Sequence, residues 1–215
     1  TSKDIAEFVT HEGAQLVDVV EYSGIVPMRS VEVRLGDAGV QVNWAFGGPP
    51  VSAFAMGGRE VRTDAKYGNI YDHFSVEFEY ANGARVQSLA RQIPGCSDRV
   101  EERLVGTKGT SNPDGRIYGE NAWEFEWEGE AVSPYVQEHI DLIDAIRNGK
   151  PLNEARRVAE SCLTAILGRM SAYTGRQLKY DWVLKRSQLD LTPEQYAWGP
   201  NPVNPVPVPG QTEVQ

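Results

Sequence analysis

Sulfur and imidazole are scarce in this chain of 215 residues: it holds two cysteines, Cys96 and Cys162, and three histidines, His11, His73 and His139. Two cysteines make at most one bridge, which excludes a disulfide scaffold and a cysteine-based zinc site. The histidines fall in no H-E-x-x-H or H-x-H spacing, so a histidine-rich metal site is not expected either. Basic charge is also short, with 21 Lys and Arg against 30 Asp and Glu and a net charge of −9. That balance argues against nucleic acid and against an anionic membrane surface as partners. No apolar run approaches the ~20 residues of a membrane span, and no basic-then-apolar leader follows Thr1. A chain opening on Thr1 reads as a processed protein or a fragment. Glycine is present but never as G-x-G, so the dinucleotide-binding G-x-G-x-x-G is missing, as are the P-loop and the G-x-S-x-G elbow. This chain builds no ordinary phosphate cradle by itself.

What remains is 40% hydrophobic and 24% charged, enough for a real core in one domain or two small ones. Residues 1–42 form a poorly defined segment. Ile5, Phe8 and Val9 suit a short helix, Leu16 to Tyr22 a strand, and Ser30 to Leu35 an alternating strand, but they compose no known unit. From Asn43 to residue 187 the pattern sharpens into one α+β domain. Val51 to Met56 is a short buried strand closed by Gly57-Gly58. His73 to Tyr80 alternates with Phe74, Val76, Phe78 and Tyr80 on one face, Asn82-Gly83 turns the chain, and Ala84 to Ile93 returns it. Arg99 to Val105 and Ala122 to Trp127 supply two more strands, and Gly106 to Gly109 is a turn. Ser133-Pro134 opens a helix whose Val136, Ile140, Ile143 and Ile146 recur at helical spacing, and Asn148-Gly149 ends it. Asn153 caps a second, with a stripe of Val158, Cys162, Leu163, Ile166, Leu167 and Met170, and Gly175 at its end. Strands followed by helices predict an open, mostly antiparallel sheet with helices packed on one face. Residues 188–215 are a tail that runs extended, because five prolines stand between Pro200 and Pro209.

Several features invite chemistry and are weighed against plainer roles. Glu77 and Glu79, with Glu124, Glu126 and Glu128, resemble glycosidase carboxylates, but they alternate with core residues and read better as a solvated sheet face. The stripe Trp123, Phe125, Trp127 suits a sugar platform less well than core or interface. His139 and Cys162 lie on helical apolar faces and are expected in the core. The loop Tyr67-Gly68-Asn69-Ile70-Tyr71-Asp72-His73 is the most suggestive, since it leads aromatic, amide and imidazole groups into the best strand. His73 suits acid–base work, with Asp72 beside it, although neighbours on a strand point to opposite faces. Arg91 and Gln92 end the partner strand and return to the Asp72–His73 end of the hairpin, where they suit a hydroxylated or anionic ligand.

The strings YGNIYDHFSVEFEYANG, RQIPGC, ERLVGTKGTS and AILGRMSAYTGRQLKYD resemble the C-terminal domain of the glucose–fructose oxidoreductase, inositol dehydrogenase and rhizopine-catabolism family (Gfo/Idh/MocA). The likeness covers roughly four-fifths of the chain, from Asn43 through the tail. The resemblance implies an NAD(P)-dependent oxidoreductase of sugars or polyols, from a bacterial cytoplasm or periplasm. NAD or NADP would be bound by a Rossmann domain absent here, and this chain alone would bind none and be inactive. It further implies a homo-oligomer built through the open sheet face. Within that reading Tyr67, Asn69, Arg91 and Gln92 are the expected substrate-binding residues and His73 the candidate proton handler. The departures are specific. Family members open this domain with H-x-x-D-x-x-N-W; Asn43-Trp44 match its end, but Asp37 stands where the His belongs and Val40 where the Asp belongs. Either the domain has lost its catalytic pair, or residues 1–42 are an out-of-frame translation, which resequencing of the gene would test. Two other readings stand beside the oxidoreductase: a non-catalytic sugar-binding or sheet-assembly module, and part of an NAD-dependent glycoside-cleaving enzyme working through a keto-sugar.

Overall fold

The computed structural model describes the side chains of residues 42–97, 99–112, 115–125, 132–193, 195–199 and 202–215 (Pro134 by backbone alone), and the backbone of 16–23. Among the described residues nine strands run in chain order: β1 (Leu16–Ser23), β2 (Ser52–Gly58), β3 (His73–Glu79), β4 (Arg85–Arg91), β5 (Glu101–Gly106), β6 (Gly109–Ser111), β7 (Arg116–Gly119), β8 (Trp123–Glu124) and β9 (Leu178–Lys179). They form one open sheet in the order β8-β7-β6-β5-β1-β4-β3-β2-β9. Every pairing is antiparallel except β1 with β4. Among the described residues, three helices longer than a single turn follow or punctuate the strands: α1 (Pro134–Arg147), α2 (Ala155–Thr174) and α3 (Tyr180–Arg186). The expected class, an open and mostly antiparallel α+β sheet, is the one observed. The strand expected at Leu16 to Tyr22 is β1, and it fills the gap between β4 and β5. Ser30 to Leu35, Asp37 and Val40 lie outside the described residues.

The β3–β4 hairpin forms where the alternation placed it. Tyr80 donates to the Ala84 carbonyl (2.9 Å) and Gly83 to the Tyr80 carbonyl (2.9 Å), so three residues, 81–83, make the turn. Gly83 takes φ +84°, which closes such a loop without a Cβ penalty. Phe74, Val76 and Phe78 point to the core while His73, Ser75, Glu77 and Glu79 stay half-buried on the other face. The same parity continues on β2, where Ala53 and Ala55 are buried and Phe54 and Met56 are exposed.

Helix α2 packs on β2 and β3, but not through the apolar stripe alone. Leu167 and Met170 are buried, whereas Val158, Ile166 and Cys162 are exposed. The face turned inward carries Ser161, Thr164, Gly168 and Ser171. Short side chains let the helix approach closely: a Cβ on Gly168 would sit 3.0 Å from Val76 Cγ1 and 3.1 Å from the Phe78 ring. The hydroxyls are satisfied by backbone, Ser161 donating to Arg157 O, Thr164 to Glu160 O, and Ser171 to Arg176 O and across to Ala53 O. A hydroxyl satisfied in this way behaves as a small core group.

Helix α1 starts and stops as the caps predict, with Pro134 in its first turn and Asn148 at its end. Its stripe remains exposed, however: Val136, Ile140, Ile143 and Ile146 all face solvent. His139 is consequently not a core residue; its side chain is 71% exposed, with Nδ1 2.7 Å from the Tyr135 carbonyl. Cys162 is likewise outside the core. The tail residues 202–208 carry no helix or strand and are pinned where Tyr71 donates to Pro207 O (2.8 Å) and Gly210 to Thr174 O (2.9 Å).

Candidate functional site

The segment between β2 and β3 doubles back on itself, and two side chains hold it, a partly buried arginine and a buried carboxylate. Arg59 donates to the carbonyls of Arg62 (2.6 Å), Gly68 (2.7 Å) and Asp64 (3.1 Å). Asp72 Oδ2 accepts the backbone N–H groups of Glu60, Val61 and Arg62 at 2.9, 2.7 and 3.0 Å. Its second oxygen, Oδ1, lies 2.8 Å from His73 Nδ1. Burial by itself would raise the Asp72 carboxyl. The N–H groups of Arg62 and Val61, the His73 bond and the Glu60 N–H outweigh it and hold its pKa at about 2. Asp72 is therefore an anion at neutral pH and accepts hydrogen bonds only.

That charge state fixes the imidazole. A carboxylate cannot donate, so the proton of the 2.8 Å contact resides on His73 Nδ1, and the neutral ring presents Nε2 as its basic atom. The side chain of His73 is 42% exposed while that of Asp72 is fully buried. The buried carboxylate orients an imidazole that is partly open to solvent, an arrangement chemically able to take up or release a proton. Neighbours on a strand need not touch, yet these two do. The strand begins at His73, so Asp72 lies outside it and is not bound by the alternation.

Its surroundings come from sheet register. Gly58, His73 and Arg91 are paired neighbours on β2, β3 and β4, which places them in one row on the open face. A Cβ on Gly58 would lie 3.0 Å from His73 Cε1 and 3.1 Å from Nε2, so glycine keeps the basic nitrogen accessible. Arg91 is exposed and reaches the Ser97 carbonyl (3.2 Å). Gln92 parts from this row. It is buried, its N–H donates to Asp72 O (2.7 Å), its carbonyl accepts from Arg62 Nε (2.8 Å), and its Oε1 has no partner among the described residues. Tyr67 is half-buried under the cations of Arg62 and Lys66, 5.2 and 5.0 Å from its ring centre. Asn69 lies apart, in a cavity of about 440 Å³ shared with Tyr173 and the tail. Thus His73 and Arg91 share a face, Gln92 and Tyr67 support the loop beside them, and Asn69 belongs to another depression. Arg59 and Arg62 escaped the sequence reading, although an acid just before a buried strand already demands N–H donors from nearby.

The other candidates resolve into ordinary surface and core. Glu77 pairs with Arg85 (2.6 Å) and Glu124 with Arg116 (2.6 Å), as a solvated face would. Trp123 and Phe125 pack at 6.1 Å, whereas Glu126, Trp127 and Glu128 lie outside the described residues. Asn43 is structural: its amide donates to Thr164 Oγ1 (3.0 Å) and its oxygen accepts from Tyr80 (2.8 Å), which ties the helical turn at 42–45 to α2 and β3. Among the described residues no cluster of three His, Cys, Asp or Glu is arranged for a metal, and no helix is long and apolar enough to cross a membrane.

No protein-family model and no curated protein matches the chain. Solved structures do. An aldose–aldose oxidoreductase from Caulobacter crescentus, solved with glycerol, matches with a TM-score of 0.62 at 16% identity, over 83% of this chain and 61% of its own. A myo-inositol 2-dehydrogenase from Lactobacillus plantarum matches with a TM-score of 0.58 at 15% identity, over 83% and 61%. The WlbA dehydrogenase from Bordetella pertussis, solved with NADH and UDP-GlcNAcA, matches with a TM-score of 0.59 at 14% identity, over 83% and 59%. The fold is therefore the one found in Gfo/Idh/MocA-type oxidoreductases, as the sequence motifs implied. The chain spans about three-fifths of the length of these structures.

Proposed function

We propose that this chain supplies the substrate-recognising and assembly part of an NAD(P)-dependent oxidoreductase acting on a sugar or polyol. The observation that carries the reading is the oriented and partly exposed His73 on the sheet, in a fold shared with sugar and inositol dehydrogenases. NAD or NADP belongs to a nucleotide-binding part that this sequence has no motif to build, and when bound it takes up the hydride. On the present chain, His73 Nε2 receives the substrate hydroxyl proton, and Asp72 holds the ring and stabilises the imidazolium. Arg91, in the same row, orients a neighbouring hydroxyl or carboxylate. Tyr67 and Gln92 act through the loop they brace. Phe54 and Met56, 49% and 66% exposed on the same face, suit contact with a second copy.

The test is hydride transfer, read as NAD(P)H absorbance, by the complete gene product or by this chain combined with its nucleotide-binding domain. Aldoses, inositols and glycerol are the substrates. Turnover that falls at least roughly a hundredfold in His73→Asn supports the reading. Absence of both turnover and NAD(P) binding would instead favour a non-catalytic sugar-binding or assembly module. Asp37 and Val40, standing where the family's His and Asp belong, are the observation on that side.

A further inference from the structure

The opposite end of β3 carries a second depression, a cleft of about 770 Å³ at the β2–β9 edge of the sheet. That volume is within the ~300–1,000 Å³ typical of small-molecule sites. The seven residues of β3 put it roughly 20 Å from His73. One wall is apolar, from Pro50 and Leu184, the latter 59% exposed. The rest is polar and largely spent within itself. Arg156 pairs with Glu160 (2.8 Å) and Asp181 with Lys185 (2.7 Å), while Gln177 donates to the Ser52 hydroxyl, which lies 3.4 Å from Glu79.

Tyr180 stands out against that background. It is 5% exposed, and its hydroxyl is buried without any partner among the described residues. The hydroxyl feels the Glu160, Arg156 and Asp181 charges, all three of which line the cleft. A buried hydroxyl left unbonded costs stability, so an orphan on a residue that lines a polar cleft is a hydrogen bond awaiting its second half. The lining charges are three acids, Glu79, Glu160 and Asp181, against Arg156 and Lys179, so the surplus is negative. It disfavours a phosphate or a carboxylate and leaves donors and acceptors interleaved beside an apolar wall. A saccharide ring offers the same combination, an apolar C–H face and a rim of hydroxyls that both donate and accept.

We infer that this cleft is a second binding site, for a neutral polyhydroxylated ligand of monosaccharide size, with Tyr180 as its buried anchor. The inference is independent of the role given to His73. The experiment is titration of the isotope-labelled 215-residue chain with D-glucose and with myo-inositol, followed residue by residue by NMR, in the wild type and in Tyr180→Phe. Saturable shifts at Ser52, Gln177 and Tyr180 are expected, with affinity about three- to tenfold weaker in Tyr180→Phe, the share of one hydrogen bond. Because Tyr180→Phe removes a group without a partner, its urea midpoint should equal or exceed that of the wild type. Shifts confined to the His73–Arg91 end would overturn the second site while leaving the proposed function standing. The absence of saturation at the cleft up to roughly 50 mM, or tighter binding of D-glucuronate than of D-glucose, would overturn it as well.

Discussion

Replacing Asp72 by Asn keeps the shape of the side chain and removes the charge on which its loop converges. One carboxylate oxygen accepts three backbone N–H groups and the other faces His73 Nδ1, so an amide must turn its NH₂ toward a donor on one side or the other. The drop of the Asp72 pKa from 3.8 to about 2 corresponds to about 2–3 kcal/mol of folding stability. A depressed folded-state pKa contributes fully above the unfolded-state value and is lost as pH falls through the folded one. The contribution is therefore complete at pH 7, starts to decline below about pH 5 and is largely lost by pH 2. Urea denaturation of wild type and Asp72→Asn at a series of pH values isolates this group, because the other carboxylates cancel in the difference. The gap between the two proteins should shrink by about 2 kcal/mol from pH 6 to pH 2. A gap that stays constant across that range would refute the reasoning. The same variant should release the imidazole tautomer, so the ring nitrogen shifts of His73 should move toward a mixed population. An unchanged Nδ1–H form would mean that something other than Asp72 orients the ring.

Further substitutions probe other parts of the same chain of argument. Gly58→Ala puts a methyl 3.1 Å from His73 Nε2 and should slow modification of that nitrogen by diethyl pyrocarbonate several-fold, about 1 kcal/mol of steric cost; an unaltered rate would show that Gly58 does not control access. Gly168→Leu drives new carbons into Val76 and Phe78 and is expected to lower stability by about 2–3 kcal/mol in urea denaturation, whereas Gly168→Ala sets the same crowding against about 1 kcal/mol of helix propensity and should cost much less. Tyr71→Phe removes the bond to Pro207 and should speed proteolysis within the tail, with a loss of about 1 kcal/mol in global stability.

The legibility of this fold follows the range over which its determinants act. The β3–β4 hairpin was readable because half-burial imposes a period of two and Asn82-Gly83 marks the reversal, and the pairing of His73 with Arg91 then follows from counting. The place of β1 was not readable. Its partners are β4, more than sixty residues on and parallel, and β5, and no local pattern encodes either. For α2 the hydropathy stripe was right for Leu167 and Met170 and wrong for Val158, Cys162 and Ile166, because the sheet selects a helix surface that fits closely as well as one that is greasy. Serine and threonine bonded to nearby backbone, with one glycine between them, fit more closely than Val158 or Ile166. In α1 the stripe is where the periodicity put it, yet it stays uncovered, since periodicity reports which face is apolar and not whether the chain itself supplies a cover.

The candidate site obeys the same division. Residue types drew attention to His73 and Arg91, and register joined them, but what makes His73 distinctive is Asp72, and alternation did not require that contact. The rule applies only inside a strand, and the strand starts one residue later. Asp72 thus stands at the rim of the sheet, its N–H bonded to Gly58 O and its carbonyl to the Gln92 N–H, with its side chain turned to the loop. There its two oxygens divide their work, one organising the turn at residues 60–62 and the other fixing a proton on the neighbouring ring. One buried charge thereby couples the fold of the loop to the chemical state of the imidazole. Any change that loosens the turn should also be felt at Nε2, however far from the ring the change is made.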